Sequence, residues 1–186
     1  MKPSVERLRA SPRATSGSAH APPVSAADAG LLVLRLALLL LAGHGAQKLF
    51  GAFGGRGLSA TAKGFEELGY RPGTLFAALG GLSEFGGGLG LALGLLTPLA
   101  AAAVVGVMIN AMAVTSGHGL WSDEGGLEYP MCLSLIAIAL AGIGPGRLAL
   151  DSPFRWGRGG WWGMATALVF GGAGAAVVLS LKGVTL

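Results

Sequence analysis

Three ionisable side chains lie inside long apolar stretches of the sequence, namely Arg35, His44 and Glu84, and Lys48 lies at the end of the first stretch. An ionisable group within a lipid bilayer is costly unless it has a partner or an aqueous cavity, so such residues mark candidate functional sites. Groups of these types would suit the binding of a small polar solute or the handling of protons. We therefore predict a polar site within the apolar region of the protein.

The depths of Arg35 and Glu84 in their helices predict that these two groups meet. Arg35 is about five residues into its helix, or roughly 8 Å, and Glu84 is about ten residues into its own, or roughly 15 Å. Consecutive spans run in opposite directions, so within a hydrocarbon core about 30 Å thick the two depths differ by only about 7 Å. We predict an Arg35–Glu84 ion pair, direct or bridged by water. Two alternatives stay open: Arg35 could extend to the membrane surface, or the pair could only fix helix register.

A second group of polar residues is predicted at the outer end of the same helices. His44 and Lys48 are four residues apart and therefore share a helix face. The loop after the third apolar stretch adds a histidine and three acids to that side. Asn110 belongs to the third stretch itself and lies near its outer end. This pattern predicts an outward-opening polar vestibule with Glu84 at its floor, suited to a small polar solute or the head group of a quinone. The predicted ligand-binding residues are Arg35, His44, Lys48, Glu84, Asn110, His118 and Glu128.

Other roles for these residues are open at this stage. His44 could cap backbone carbonyls, and Lys48 could reach phospholipid head groups. The spacing of His118, Asp123 and Glu128 is too loose to predict a metal site. Haem ligation by His44 and His118 is disfavoured because His118 falls outside a predicted helix. The sequence assigns no catalytic residue.

The composition excludes a water-soluble monomer. Apolar residues make up 52% of the chain and charged residues 12%, and the mean hydropathy is +0.65. A soluble chain carries about 25% charged residues, so this one could not cover its surface with charge. Cys132 is the single cysteine, which excludes an intrachain disulfide or a multi-cysteine zinc site, and we predict that it is an ordinary packing residue in the fourth span. No basic stretch is interleaved with aromatic residues, so no nucleic-acid partner is predicted.

Five apolar stretches approach the roughly 20 residues that a membrane-spanning helix needs. The Thr97-Pro98 break predicts a hairpin between the second and third, and Gly144-Pro145-Gly146 ends the fourth. No segment alternates apolar and polar residues, so we predict an all-α fold, a polytopic transmembrane helical bundle. The predicted spans are about residues 30–50, 74–96, 99–115, 127–143 and 161–181. The predicted organisation is a disordered tail (1–28), a four-helix transmembrane domain (29–151), and a linker with an additional transmembrane helix (152–186).

The distribution of Lys and Arg predicts a cytoplasmic N-terminus. That orientation places seven of these residues in the cytoplasm and five outside, and the loop after the third span carries acids without Lys or Arg. We therefore expect a bacterial inner-membrane protein with its N-terminus inside. The Arg- and Ser-rich tail also fits an organelle transit peptide, which is the alternative.

Small residues at a spacing of four predict close helix contacts. We interpret them as packing within the chain, with a homo-oligomer face as the alternative. The stripes are Gly86, Gly90 and Gly94, then Gly80, Glu84 and Gly88, and finally Gly171 with Ala175 and Gly172 with Ala176.

In order and content, these features resemble the DoxX family of small integral membrane proteins. The matching stretches lie in residues 30–151: Arg35, the stretch HGAQKLFG at 44–51, GYRP at 69–72, EFGGGLGLALGLLTP at 84–98, 108–113, His118-Gly119, Glu128, and GPGRLALD at 144–151. The resemblance implies a unit of four transmembrane helices. The N-terminal tail and the fifth helix are departures from that unit.

The resemblance also implies membrane subunits of quinone-linked or oxidative-stress complexes. The leading hypothesis is therefore a membrane subunit that binds a quinone head group or small anion beside a soluble or membrane-bound redox partner protein. No covalently bound cofactor is expected, and whether the chain is itself an enzyme stays open. The alternatives are a small-solute carrier or permeation pathway, and a structural scaffold without a ligand.

Overall fold

The computed structural model describes residues 24–183, which fold into a bundle of α-helices. Its α-helices are α1 (Ala26–Ala37), α2 (Leu39–Phe50), α3 (Gly57–Glu67), α4 (Gly73–Leu93), α5 (Thr97–Thr115), α6 (Glu128–Ile143) and α7 (Trp161–Ser180). Short 3-10 helices lie at Ala52–Gly54, Ser116–His118, Ser122–Glu124 and Arg155–Arg158. Within residues 24–183 there is no strand, which confirms the predicted all-α fold. Most of the predicted disordered tail, residues 1–23, lies outside the described residues.

Among residues 24–183, four helices are long and apolar enough to cross a membrane: Ala26–Phe50, Gly73–Leu93, Thr97–His118 and Trp161–Ser180. They confirm an integral membrane protein and include the predicted C-terminal helix. The predicted fourth span is α6, which is shorter. Its 16 residues extend about 24 Å at about 1.5 Å per residue, against a hydrocarbon core about 30 Å thick. The chain turns at Gly144, which has a positive φ of 90° and precedes Pro145, so α6 ends early.

The first span consists of α1 and α2, which meet at Leu38. Helix α1 begins at Ala26, inside the segment predicted as tail. Ser25 and Asp28 form a capping box there, in which each side chain accepts a hydrogen bond from the backbone of the other residue. This cap satisfies amide groups that a helix start leaves without partners, and it explains the early start.

Helix α3 occupies the connection between the first two spans, which was predicted only as a loop. Gly51, with a φ of 71°, ends α2, and further glycines separate it from α3. The buried Ala62 faces α4, where a Cβ added at Gly73 would lie 2.2 Å from the Ala62 carbonyl oxygen. Close contact with α4 therefore holds α3 against the bundle.

The bundle has two ends. At the α1 end, helices α1, α5 and α7 begin and α4 and α6 finish; at the α3 end, α2 finishes and α4 begins. Helix α5 packs against α4, α6 and α7 and supplies much of the core. The buried core residues are Leu38, Leu41, Leu91, Ala100, Ala101, Val104, Val105, Met108, Ala137, Leu140, Ala141 and Ala167.

Glycines bring the backbones of α2 and α4 into contact. A Cβ added at Gly45 would lie 2.4 Å from the backbone nitrogen of Phe85, and one added at Gly88 would lie 2.5 Å from that of Ala42. Gly88, a member of one predicted stripe of small residues, thus packs tightly. Gly86, a member of another predicted stripe, does not, since a Cβ there would meet no atom within 4 Å. These contacts are made within the chain, as the small residues predicted.

We expect Gly45→Ala to destabilise the fold, and Gly43→Ala on the same helix to leave it unchanged or slightly more stable. The added methyl at position 45 would collide with the α4 backbone, and overpacking of this kind costs about 1–3 kcal/mol or more. At Gly43 there is no atom within 4 Å, and alanine is a better helix former by about 1 kcal/mol. Thermal unfolding of both variants in detergent measures the difference. Equal melting temperatures would contradict the observed α2–α4 contact.

Candidate functional site

Lys48 of α2 and Glu84 of α4 form an ion pair between Lys48 Nζ and Glu84 Oε1. Glu84 is 5% exposed, whereas the Lys48 side chain is 33% exposed. The second carboxylate oxygen, Glu84 Oε2, is buried and has no hydrogen-bond partner. The pair therefore has no net charge, and one of its buried acceptor atoms, Glu84 Oε2, accepts no hydrogen bond.

The predicted Arg35–Glu84 pair is wrong, because Lys48 takes the place of Arg35. A helical side chain leans toward the start of its own helix, so Lys48, near the end of α2, points back into the bundle and toward Glu84. Arg35 lies 13 residues earlier, about 20 Å farther along the helix axis. The close α2–α4 packing at Gly45 then brings Lys48 and Glu84 within reach.

Arg35 lies at the α1 end, apart from the other predicted site residues. It is fully buried, and its Nη2 donates a hydrogen bond of 2.6 Å to the carbonyl oxygen of Leu148. The Nε and Nη1 atoms are buried without a protein hydrogen-bond partner, and Nη1 lies against Gly94. Arg35 thus contacts the segment that follows α6, and it lines neither of the cavities described below.

Asp151 holds the same end of the bundle together, and sequence reasoning gave it no role. Its buried carboxylate accepts hydrogen bonds from the Leu96 amide (2.9 Å), the Thr97 amide (2.7 Å), the Thr97 hydroxyl (2.8 Å) and Trp156 Nε1 (3.0 Å). Burial alone would raise the pKa of Asp151, but the bonds from Thr97, Trp156 and Leu96 outweigh it and the pKa is lowered. The sequence does contain a signal for such a residue. Helix α5 begins at Thr97-Pro98 without a capping side chain of its own, so a side chain from elsewhere in the chain has to supply the cap.

Two cavities meet at the Lys48–Glu84 pair. The lateral cavity, of about 500 Å³, lies between α4, α5 and α7, and its walls are mainly apolar. The vestibule, of about 480 Å³, lies between α2, α5, α6 and the segment 122–126. Lys48 and Glu84 line both. The ion pair therefore lies where two cavities with mainly apolar walls meet.

The structure distributes the other predicted site residues unevenly. His44 lines the vestibule with Lys48 and Glu84, whereas Asn110 lines the lateral cavity. His118 and Glu128 line neither cavity. His118 is exposed, and Glu128 Oε2 accepts a hydrogen bond of 3.0 Å from the Ser122 amide, which holds the loop before α6.

Tyr70 is a site residue that the sequence did not predict. It is 2% exposed, lines the lateral cavity, and its hydroxyl donates a long hydrogen bond of 3.5 Å to Asn110 Oδ1. Burial raises the pKa of Tyr70, so at neutral pH its hydroxyl keeps its proton and remains a donor. Lys182 Nζ lies 5.1 Å from the centre of its ring. The C-terminal end of α7 thus covers this side of the cavity.

In residues 24–183 there is no group of three or more His, Cys, Asp or Glu side chains placed to hold a metal ion. Cys132 is exposed on α6, so the prediction that it is a packing residue of the fourth span is wrong. A free cysteine behaves as a small apolar residue, so it suits the exposed surface of an apolar helix as well as its packed face.

One family model matches part of the chain. The DoxX family model matches residues 30–117, from the first turn of α1 to the 3-10 helix that follows α5. No curated protein and no solved structure matches the chain. The segment 144–151, which also carried the resemblance, lies outside the matched residues, as do α6 and α7. This chain is therefore an integral membrane protein whose residues 30–117 are similar to the DoxX family model.

Proposed function

We propose that the protein binds the head group of a quinone in the lateral cavity and serves as a membrane subunit of a redox or oxidative-stress complex. The observation that carries the proposal is the Lys48–Glu84 pair, with its buried and unpartnered Oε2 atom, in the wall of a mainly apolar cavity of about 500 Å³. Ligand sites of about 300–1,000 Å³ are commonly apolar with a few placed polar groups.

The chemistry of a quinone matches the two kinds of surface in this cavity. The Lys48 ammonium can donate a hydrogen bond to a quinone carbonyl, and Glu84 Oε2 can accept one from the hydroxyl of the reduced form. Apolar side chains such as Leu79, Val107 and Val178 offer contact for the ring and its isoprenoid tail. Electrons would come from a partner protein, since the proposal gives this chain the role of binding and positioning the quinone.

A small anion fits this site less well than a quinone. Lys48 is already neutralised by Glu84, and the unpartnered buried atom is a carboxylate oxygen, which repels a negative charge.

A permeation pathway is also less well supported. The residues that line the two cavities come from the middle and the α3 end of the bundle, and none comes from α1 or the segment 144–160.

Replacing Lys48 with methionine is expected to weaken the binding of a short-chain benzoquinone to the purified protein by about tenfold or more. The change removes one charged hydrogen-bond donor, which is worth about 1.5–3 kcal/mol. Titration calorimetry in detergent measures the affinity. Asp123→Asn, at an exposed residue that lines neither cavity, is the control and should bind normally. Absence of saturable binding by the wild-type protein, or unchanged affinity in folded Lys48→Met, would reject the proposal.

A further inference from the structure

Glu84 lines both the lateral cavity and the vestibule, as do Lys48, Ala111 and Thr115. Glu84 is 5% exposed. Oε1 is held by Lys48, while Oε2 is buried with no partner. An unpaired buried carboxylate oxygen is costly, and either a hydrogen-bond donor or a proton removes that cost.

The two redox forms of a quinone make different demands on Oε2. A hydroquinone hydroxyl donates a hydrogen bond to the ionised carboxylate. A quinone carbonyl has lone pairs only, so beside an ionised Oε2 two acceptors would face each other. A proton on Oε2 turns the carboxyl group into a donor to that carbonyl. The form of the ligand therefore sets which protonation state of Glu84 is favoured.

We infer that Glu84 takes up a proton from the vestibule when the oxidised ligand binds in the lateral cavity, and stays ionised when the reduced ligand binds. This inference rests on the proposed function. In the step, the proton leaves a buffer acid or hydronium ion in the vestibule and an O–H bond forms at Glu84 Oε2. No electrons move. Binding of the oxidised form is thus coupled to proton uptake from the α3 end of the bundle.

Several other titratable groups line the two cavities near Glu84. Helix α2 contributes Lys48 and His44, α6 contributes Tyr129, and the turn before α4 contributes Tyr70. Among the described residues, the cavity walls from α3, α5 and α7 contain no titratable side chain. His44 and Tyr129 line only the vestibule, so they are placed to pass a proton to Glu84 but not to contact a ligand in the lateral cavity.

Calorimetry in buffers of different ionisation enthalpy tests the inference, because it counts the protons exchanged on binding. The probes are a para-benzoquinone with a single isoprenoid unit and its hydroquinone. We expect uptake of roughly one proton with the quinone and about none with the hydroquinone. Where Glu84 is ionised in the free protein, quinone affinity should fall about tenfold for each pH unit of increase, while hydroquinone affinity should not.

Three variants assign the proton. Glu84→Gln keeps an amide donor for the carbonyl, so it should bind the quinone without proton uptake and without the pH dependence. His44→Gln and Tyr129→Phe should retain the uptake, because these groups are placed only in the vestibule. Uptake that persists in Glu84→Gln, or disappears in His44→Gln or Tyr129→Phe, would overturn the assignment.

The outcomes separate this inference from the proposed function. If the wild-type protein binds neither form, the proposed function fails. If it binds the quinone with no proton uptake, Lys48 alone supplies the hydrogen bond; the inference then fails and the proposed function stands. This wild-type measurement decides the matter even if Glu84→Gln does not fold.

Discussion

Replacing Asp151 with alanine is expected to lower the free energy of unfolding by on the order of 3 kcal/mol or more. The carboxylate is fully buried and accepts four hydrogen bonds from Leu96, Thr97 and Trp156. Its loss leaves buried donors unpaired and removes the cap of α5, and each unpaired group costs about 1–3 kcal/mol. Thermal unfolding in detergent measures the effect. Asp123→Ala, at an exposed position, is the matched control and should melt like the wild-type protein.

The same carboxylate predicts a pH dependence of stability. Because hydrogen bonds lower the pKa of Asp151, the ionised form is favoured in the folded state. Its stabilisation is fully present above the ordinary aspartate pKa of about 3.9 and is lost as the pH falls through the lower folded value. The difference in melting temperature between the wild-type protein and Asp151→Asn should be constant above about pH 5 and shrink below about pH 4. A difference that persists undiminished in acid would contradict this role of the charge.

The second large effect is expected when Gly174 is replaced by phenylalanine, which should abolish quinone binding or weaken it more than tenfold. Gly174 lies on α7 and lines the lateral cavity, and a Cβ there would meet no atom within 4 Å. An aromatic ring at this position would fill space that the proposed ligand needs, without colliding with the backbone. Calorimetric titration with the short-chain benzoquinone measures the loss.

Gly172→Phe is the control for this variant. Gly172 lies on the same helix and also has no atom within 4 Å of an added Cβ, but it does not line the cavity. Both variants should fold, and only Gly174→Phe should lose affinity. Equal affinities in the two variants would show that the ligand does not occupy the lateral cavity.

These variants also bear on helix α7, which lies outside the residues that match the DoxX model. Gly171 of α7 packs closely on α5, since a Cβ there would lie 2.8 Å from the carbonyl oxygen of Ala102. Phe170 and Val178 extend the cavity wall. Part of the candidate site is thus formed by a helix beyond the matched domain.

The sequence alone determined the long apolar helices and the membrane environment, because both depend on local properties. Stretches of about 20 apolar residues can satisfy their backbone groups in lipid only as helices. Breaks such as Thr97-Pro98 and Gly144-Pro145 set the ends of neighbouring helices within a few residues. The shared position of His44 and Lys48 on one helix face was also accessible, since spacing along a helix fixes which residues share a face.

Only the tertiary structure decided which charged groups meet. The sequence gives only how deep each Cα atom lies in the membrane, and on that basis Arg35 was predicted to meet Glu84. Depth says nothing about the direction of a side chain or the distance between two helices. Gly45 draws α2 onto α4, and the backward lean of Lys48 then gives Glu84 its partner. The burial of Asp151 depends in the same way on a contact between residues more than 50 positions apart, which no local pattern predicts.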